Sequence, residues 1–298
     1  MNELLQLLAN GLVTGSIIAI AAIGLSLVYG ILKIVNFAHG DFLTFGAFMA
    51  FLANITWGAS MVVAVVFAML ATAALGVVLE FVLWRPIRRR GAGLISLFIV
   101  AIGLALVLRH MIFLVWGSRP RRYDVDVFQV YDLGPIRLSL SQLVVIAIAF
   151  TAIAAVGFML ARTRLGKSMR ALSDNNRDLA AATGIDIDRV TTYTWLLGAG
   201  LAGLGGVLQG LVQNAFNPNM GFTLLLFIFA AVVLGGVGSA YGALAGGVVV
   251  GVVMDLSTWN ALPAGGVNPV YKPVVAFTIL ILVLLFRPQG VLGRARTV

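Results

Sequence analysis

The chain has 298 residues, 61% of them hydrophobic and 10% charged, no cysteine, two histidines and a formal net charge of +9; its mean hydropathy is +1.05. A soluble globular chain carries roughly 25% charged residues, so this composition excludes a water-soluble enzyme, a disordered chain and a small disulfide-stapled domain. The absent cysteines remove thiolate metal sites and cysteine nucleophiles, two histidines argue against a His-rich metal centre, and the basic balance is explained by arginines facing the cytoplasm rather than by nucleic acid.

A crossing needs about 20 apolar residues. The sequence therefore predicts an all-α, polytopic transmembrane helical bundle of roughly 8–9 crossings, one domain over 1–298 with no soluble domain. The N-terminus carries Glu3 and no basic run, and its apolar stretch is too long for a signal-peptide core, so a retained first helix is expected at 4–29. A polar, glycine-containing interruption follows at Lys33, Asn36, His39, Gly40 and Asp41, and apolar sequence resumes at 42–56. Further spans are expected at 60–84, 94–116, 139–161, 192–214, 222–237, 241–259 and 273–286. A mixed-charge loop occupies 117–138, a hydrophilic stretch 162–191, and a Pro/Gly loop 260–272.

Orientation follows from Lys and Arg. The clusters at 85–90, 162–191 and the tail hold thirteen of the twenty basic residues. They fall on one side, the cytoplasm, if every intervening segment crosses. The 117–138 loop, with Arg119, Arg121, Arg122 and Arg137, and the 260–272 loop then lie outside. Nine crossings place the N-terminus outside; a re-entrant 30–56 segment would flip it.

Several motifs invite a chemical reading. From Gly166 to Gly184 the hydrophilic stretch reads as a helix: Met169, Leu172, Leu179 and Thr183 share one face, Arg170, Asp174, Arg177 and Asp178 populate the rest, and Gly184 suits a helix stop. Its mixed charges and alanines favour docking on a partner protein over lying on lipid. The Asn36–Asp41 interruption is either an interhelical brace or interfacial turn, or a gate lining a translocation path, with substrate contacts from Asn36 and His39 and Asp41 pairing Lys33. A second interruption, Gly235-Gly236-Val237-Gly238-Ser239, lies in the other half of the chain, and paired broken segments mark midplane paths in many transporters. The rows Gly238/Gly242/Gly246 and Gly247/Gly251 read as close helix packing. Glu80 and Asp255 read as interfacial or interhelical contacts, and Arg109 as a side chain able to snorkel. Gly198-x-Gly200-x-x-Gly203 and Gly166-Lys167-Ser168 mimic nucleotide motifs but lack the strand these need, so the chain binds no ATP itself.

Asp178-Leu179-Ala180-x-x-x-Gly184 resembles the cytoplasmic Glu-Ala-Ala-x-x-x-Gly loop of ABC-importer permeases. With Tyr29-Gly30-x-x-x-x-Val35-Asn36-Phe37-Ala38-His39-Gly40-Asp41, Gly166-Lys167-Ser168-Met169-Arg170-Ala171, Ala231–Ser239 and Arg287-Pro288-Gln289-Gly290-Val291-Leu292-Gly293, the chain resembles the permeases of branched-chain amino-acid (and amide/urea) ABC importers from about residue 10 to 293. That resemblance implies a second homologous permease subunit, usually making a heterodimer, two ATPase subunits holding ATP and Mg, and an extracytoplasmic solute-binding protein. It implies no cofactor on this chain and no catalytic residue. It assigns ATPase coupling to Gly166, Arg170, Asp174, Asp178, Ala180 and Gly184. The alternative is a stand-alone secondary transporter or channel; such a chain would carry charged relays deep in its spans. An intramembrane enzyme would need a converging nucleophile and base, and the sequence offers neither.

Overall fold

The computed structural model describes residues 2–125, 129–173, 180, 182–261, 265–287 and 289–291. The chain is a helical bundle. In chain order its helices are α1 (Asn2–Leu32), α2 (His39–Phe51), α3 (Met61–Arg89), α4 (Leu94–Trp116), α5 (Leu140–Arg162), α6 (Arg164–Ser173), α7 (Ile187–Gln213), α8 (Met220–Gly235), α9 (Ala240–Leu256) and α10 (Lys272–Phe286). A π-turn, Leu52–Thr56, prolongs α2, and another, Glu80–Trp84, interrupts α3. The 117–138 loop is less irregular than its sequence suggests: β1 (Val130–Leu133) and β2 (Ile136–Ser139) form an antiparallel hairpin that runs into α5 through a capping box at Ser139 and Gln142.

Among the described residues six helices are long and apolar enough to cross a membrane, α10 together with the 3-10 turn Pro269–Tyr271 that leads into it; α8, α9 and α2 fall short of that length. Contacts sort the loops into two ends. At one end Gln6 Oε1 accepts from Arg137 N at 2.7 Å, Asn260 Nδ2 donates to Glu3, Asn54 Oδ1 accepts from Asp124 N, and Arg121 pairs with Phe216. At the other end Lys33 Nζ donates to the Ser173 carbonyl at 3.2 Å, Gly30 lies under Gly238, Arg85 bonds Asp188, and Gly290 packs on Gly236. The second end carries the 85–90 and 162–191 arginines. It is therefore the cytoplasmic one, and the start of α1 lies outside.

The core forms where backbones approach closely. α1, α2, α7 and α8 are the most buried helices, and α2 packs chiefly against α7, α3 and α8. Small residues make this possible, since glycine lets two helix backbones touch. The two rows on α9 face different neighbours: Gly247 and Gly251 lie on Ala19 and Gly15 of α1, whereas Gly242 and Gly246 lie on Gly235 and Ala231 of α8. The Gly198–Gly203 run is packing too, with Gly198 against Gly24 and Gly203 against Thr72.

Candidate functional site

α1 ends at Leu32 at the cytoplasmic end, and the chain turns at Lys33, whose φ is 57°. Residues 33–38 then run back into the bundle without helix, with Ile34, Asn36 and Ala38 buried and Lys33, Val35 and Phe37 partly exposed in alternation. Helix resumes at His39, earlier than the apolar pattern suggests, so His39, Gly40 and Asp41 form the first turn of α2 rather than a surface turn. Residues 34–36 rise from the left-handed Lys33, and a turn at 37–38, closed by His39 N on the Asn36 carbonyl, leads into α2. They carry the chain back to the level of Ala21, whose carbonyl accepts from His39 Nε2 at 2.9 Å. Non-helical backbone at this depth is tolerated only inside protein or against a water-filled cavity.

Asn36, His39 and Asp41 are 0–1% exposed. Asn36 Oδ1 accepts from Ala38 N at 3.1 Å, while Asn36 Nδ2 and His39 Nδ1 have no hydrogen-bond partner among the described residues. Gly40 lies against the Gly221 backbone, where a Cβ on either residue would collide with the other's carbonyl; Thr44 Oγ1 accepts from Gly221 N at 3.0 Å. Phe37 wedges between Phe98 of α4 and Phe229 of α8, with ring centroids 5.2 and 5.1 Å away.

Asp41 does not pair Lys33. It receives two bonds from Arg109, Nε at 3.0 Å and Nη2 at 3.2 Å, and Lys33 reaches Ser173 instead. The reason is depth: Lys33 stays at the cytoplasmic end while the non-helical segment lifts Asp41 into the bundle. Arg109 correspondingly does not snorkel; its guanidinium lies 4.4 Å over the Phe222 ring, and its side chain is only 13% exposed. Sequence reasoning missed this pair, although a rule was available: a charge at membrane depth needs an opposite one. Glu80 and Asp255 are interhelical contacts as expected. Glu80 binds Arg88 at 2.9 Å and Trp195 Nε1 at 2.7 Å, with Trp195 stacked on Trp84, and Asp255 binds Lys272.

The second interruption sits elsewhere. Gly235, Gly236, Gly238 and Ser239 form the α8–α9 turn at the cytoplasmic end, not a mid-depth break. Gly236 and Gly238 take positive φ, 105° and 88°, and Ser239 caps α9 by accepting from Gly242 N at 3.0 Å.

The hydrophilic stretch holds α6. Its helix starts at Arg164, two residues before the expected position, and the expected continuation lies partly outside the described residues, including Asp174 and Asp178. Met169 and Leu172 are buried, Gly166 packs on Leu160, Arg170 Nη1 bonds the Leu160 carbonyl, and Lys167 and Ala171 face outward. Ala180 is buried, and Gly184, with φ 84°, occupies the left-handed conformation that ends helices. Among the described residues no group of His, Asp and Glu could hold a metal. At the outer end Tyr123 is buried and donates to the Ala47 carbonyl at 3.1 Å; burial pushes its phenol well above the ordinary range.

A family model described as "Branched-chain amino acid transport system / permease component" matches residues 7–284. The chain is 35% identical over 304 residues to the high-affinity branched-chain amino acid transport system permease protein BraD of Pseudomonas aeruginosa, covering 97% of this chain and 96% of that one. It is 35% identical over 309 residues to the corresponding LivH of Escherichia coli K12, with the same coverage. It is 27% identical over 290 residues to the ribose import permease protein RbsC of Escherichia coli, covering 93% and 84%. No solved structure matches.

Proposed function

The chain belongs to the branched-chain amino acid transport system permease family, and on that premise we propose that it forms the import path for branched-chain or other hydrophobic amino acids together with a second permease subunit in the inner membrane. ATP and Mg belong to two separate ATPase subunits, and an extracytoplasmic binding protein delivers the amino acid to the 117–138 and 260–272 loops. The chain itself translocates and does not catalyse.

The observation that carries this reading is the tie between α6 and the break. α6 offers Lys167 and Arg170 to the cytoplasm, is anchored on α5 through Gly166 and Arg170, and ends at Ser173, whose carbonyl holds Lys33. Lys33 opens the non-helical segment that leads to Asn36 and His39. A non-helical segment has no run of helix bonds to break, so it shifts more readily than a helix does. In the proposed cycle, closure of the ATPases moves α6. Ser173 and Lys33 transmit the movement to residues 33–38, and the two unpartnered groups, Asn36 Nδ2 and His39 Nδ1, turn towards the path. Gly235, Gly236, Gly238 and Ser239 stand at its inner mouth. The amino acid biases this two-state equilibrium only by binding one state better than the other.

Replacing Arg170 and Asp178 with Ala tests the coupling. Uptake and substrate-stimulated ATP hydrolysis are expected to fall at least tenfold while the four membrane and motor subunits still co-purify. Normal uptake by the double variant would overturn the coupling role.

A further inference from the structure

A helix that faces lipid should leave no polar group open at depth, because hydrocarbon offers it no hydrogen bond. The outward faces of α3 and α10 obey this: Val62, Val66 and Leu70 on one, and Val274, Ile281 and Leu285 on the other, are exposed. The exposed hydroxyls of Thr151 and Thr278 bond their own helices, at Ala147 and Val274.

α4 departs from that pattern. His110 is exposed between Val107, Met111 and Leu114, six residues before the helix ends at Trp116, which is about 9 Å below that end at 1.5 Å per residue. Its Nδ1 donates to the Leu106 carbonyl at 2.8 Å, and Nε2 makes no hydrogen bond among the described residues. Arg109 is its neighbour. Two of its five N–H groups go to Asp41, Nη1 makes no hydrogen bond among the described residues, and Phe222, 44% exposed, lies beneath the guanidinium. This face also continues into the break, because Phe37 joins α4 to α8.

We propose that the α4–α8 face around Arg109, His110 and Phe222 lines the substrate route at the contact with the second permease subunit, with Arg109 receiving the carboxylate of the amino acid and Phe222 its apolar side chain. This rests on the importer reading above and assigns it a surface. A guanidinium fork suits a carboxylate. Its standing bonds to Asp41 temper the attraction, as transport requires, since a substrate held too tightly never leaves.

The chain has no cysteine, so His110→Cys introduces a single thiol, and Val66→Cys on α3 supplies the lipid-facing comparison. Both are placed in the assembled importer, and ATP-driven leucine uptake by the unsubstituted complex is measured first. A charged, water-soluble methanethiosulfonate should modify position 110 at least tenfold faster than position 66 and should block uptake. A benzophenone carried on position 110 should capture the second permease subunit. Equal, slow modification at both positions, or capture of lipid alone from position 110, overturns the proposal. If uptake in the unsubstituted complex is intact, such a result leaves the importer reading standing; absent uptake there would sink that reading first and this one with it.

Discussion

α1 and α10 have the same mean hydropathy, yet 89% of the most apolar stretch of α1 is buried and 6% of that of α10. Hydropathy records the preference for hydrocarbon over water and says nothing about whether the hydrocarbon is lipid or protein. Small residues make the difference. α1 carries Gly11, Gly15, Gly24 and Gly30, each with another backbone close enough to obstruct a Cβ, whereas α10 has no glycine and presents Val, Ile, Leu and Phe outward. Lipid tails are as apolar as leucine, so helices associate in a membrane through close contact and polar bonds rather than through a hydrophobic drive. A helix without small residues stays at the rim.

Three substitutions would break or sharpen this contrast between interior and rim, each read as thermal stability of the purified chain. The largest effect is expected from Asp41→Ala, which strands the buried Arg109 and should cost about 3–5 kcal/mol; adding Arg109→Leu should restore most of it. If Asp41→Ala alone is silent, the pair does not brace the interior. Next comes Gly251→Ala, which drives a methyl into the Gly15 backbone and should cost about 1–3 kcal/mol, the usual penalty of overpacking. Equal stability would mean that α1 and α9 separate at no cost. The smallest is Ile281→Ala on the exposed face of α10, 56% exposed, expected to stay within about 0.5 kcal/mol. A loss of several kcal/mol there would show that the rim is packed as tightly as the core.

Much of the architecture was legible before any coordinates. Spans follow from runs of apolar residues, orientation from the arginines at 85–90 and 162–191, and the glycine rows on α9 from their spacing of four. Glu80 and Asp255 were readable as interfacial or interhelical contacts because each lies one turn from the end of its span. What stayed hidden depends on where the chain goes rather than on local pattern. Lys33 and Asp41 are close in sequence and looked like partners, but a non-helical segment separates them in depth, and the true partner of Asp41 is 68 residues away. The Gly235–Ser239 and Asn36–Asp41 segments both interrupt apolar runs; one is a turn at the membrane edge and the other a break inside it. Periodicity carries no information about that difference.

The distance in sequence between Asp41 and Arg109 has a consequence for how the protein is made. A chain emerging at about 5–20 residues per second presents the carboxylate roughly 3–14 seconds before the guanidinium that will neutralise it. Until then each segment carries an uncompensated charge, which costs about 2.5–3.5 kcal/mol at the centre of a span during insertion. The carboxylate on α2 therefore has to be kept until α4 is made, 68 residues later, before the contact that ties the two helices can close.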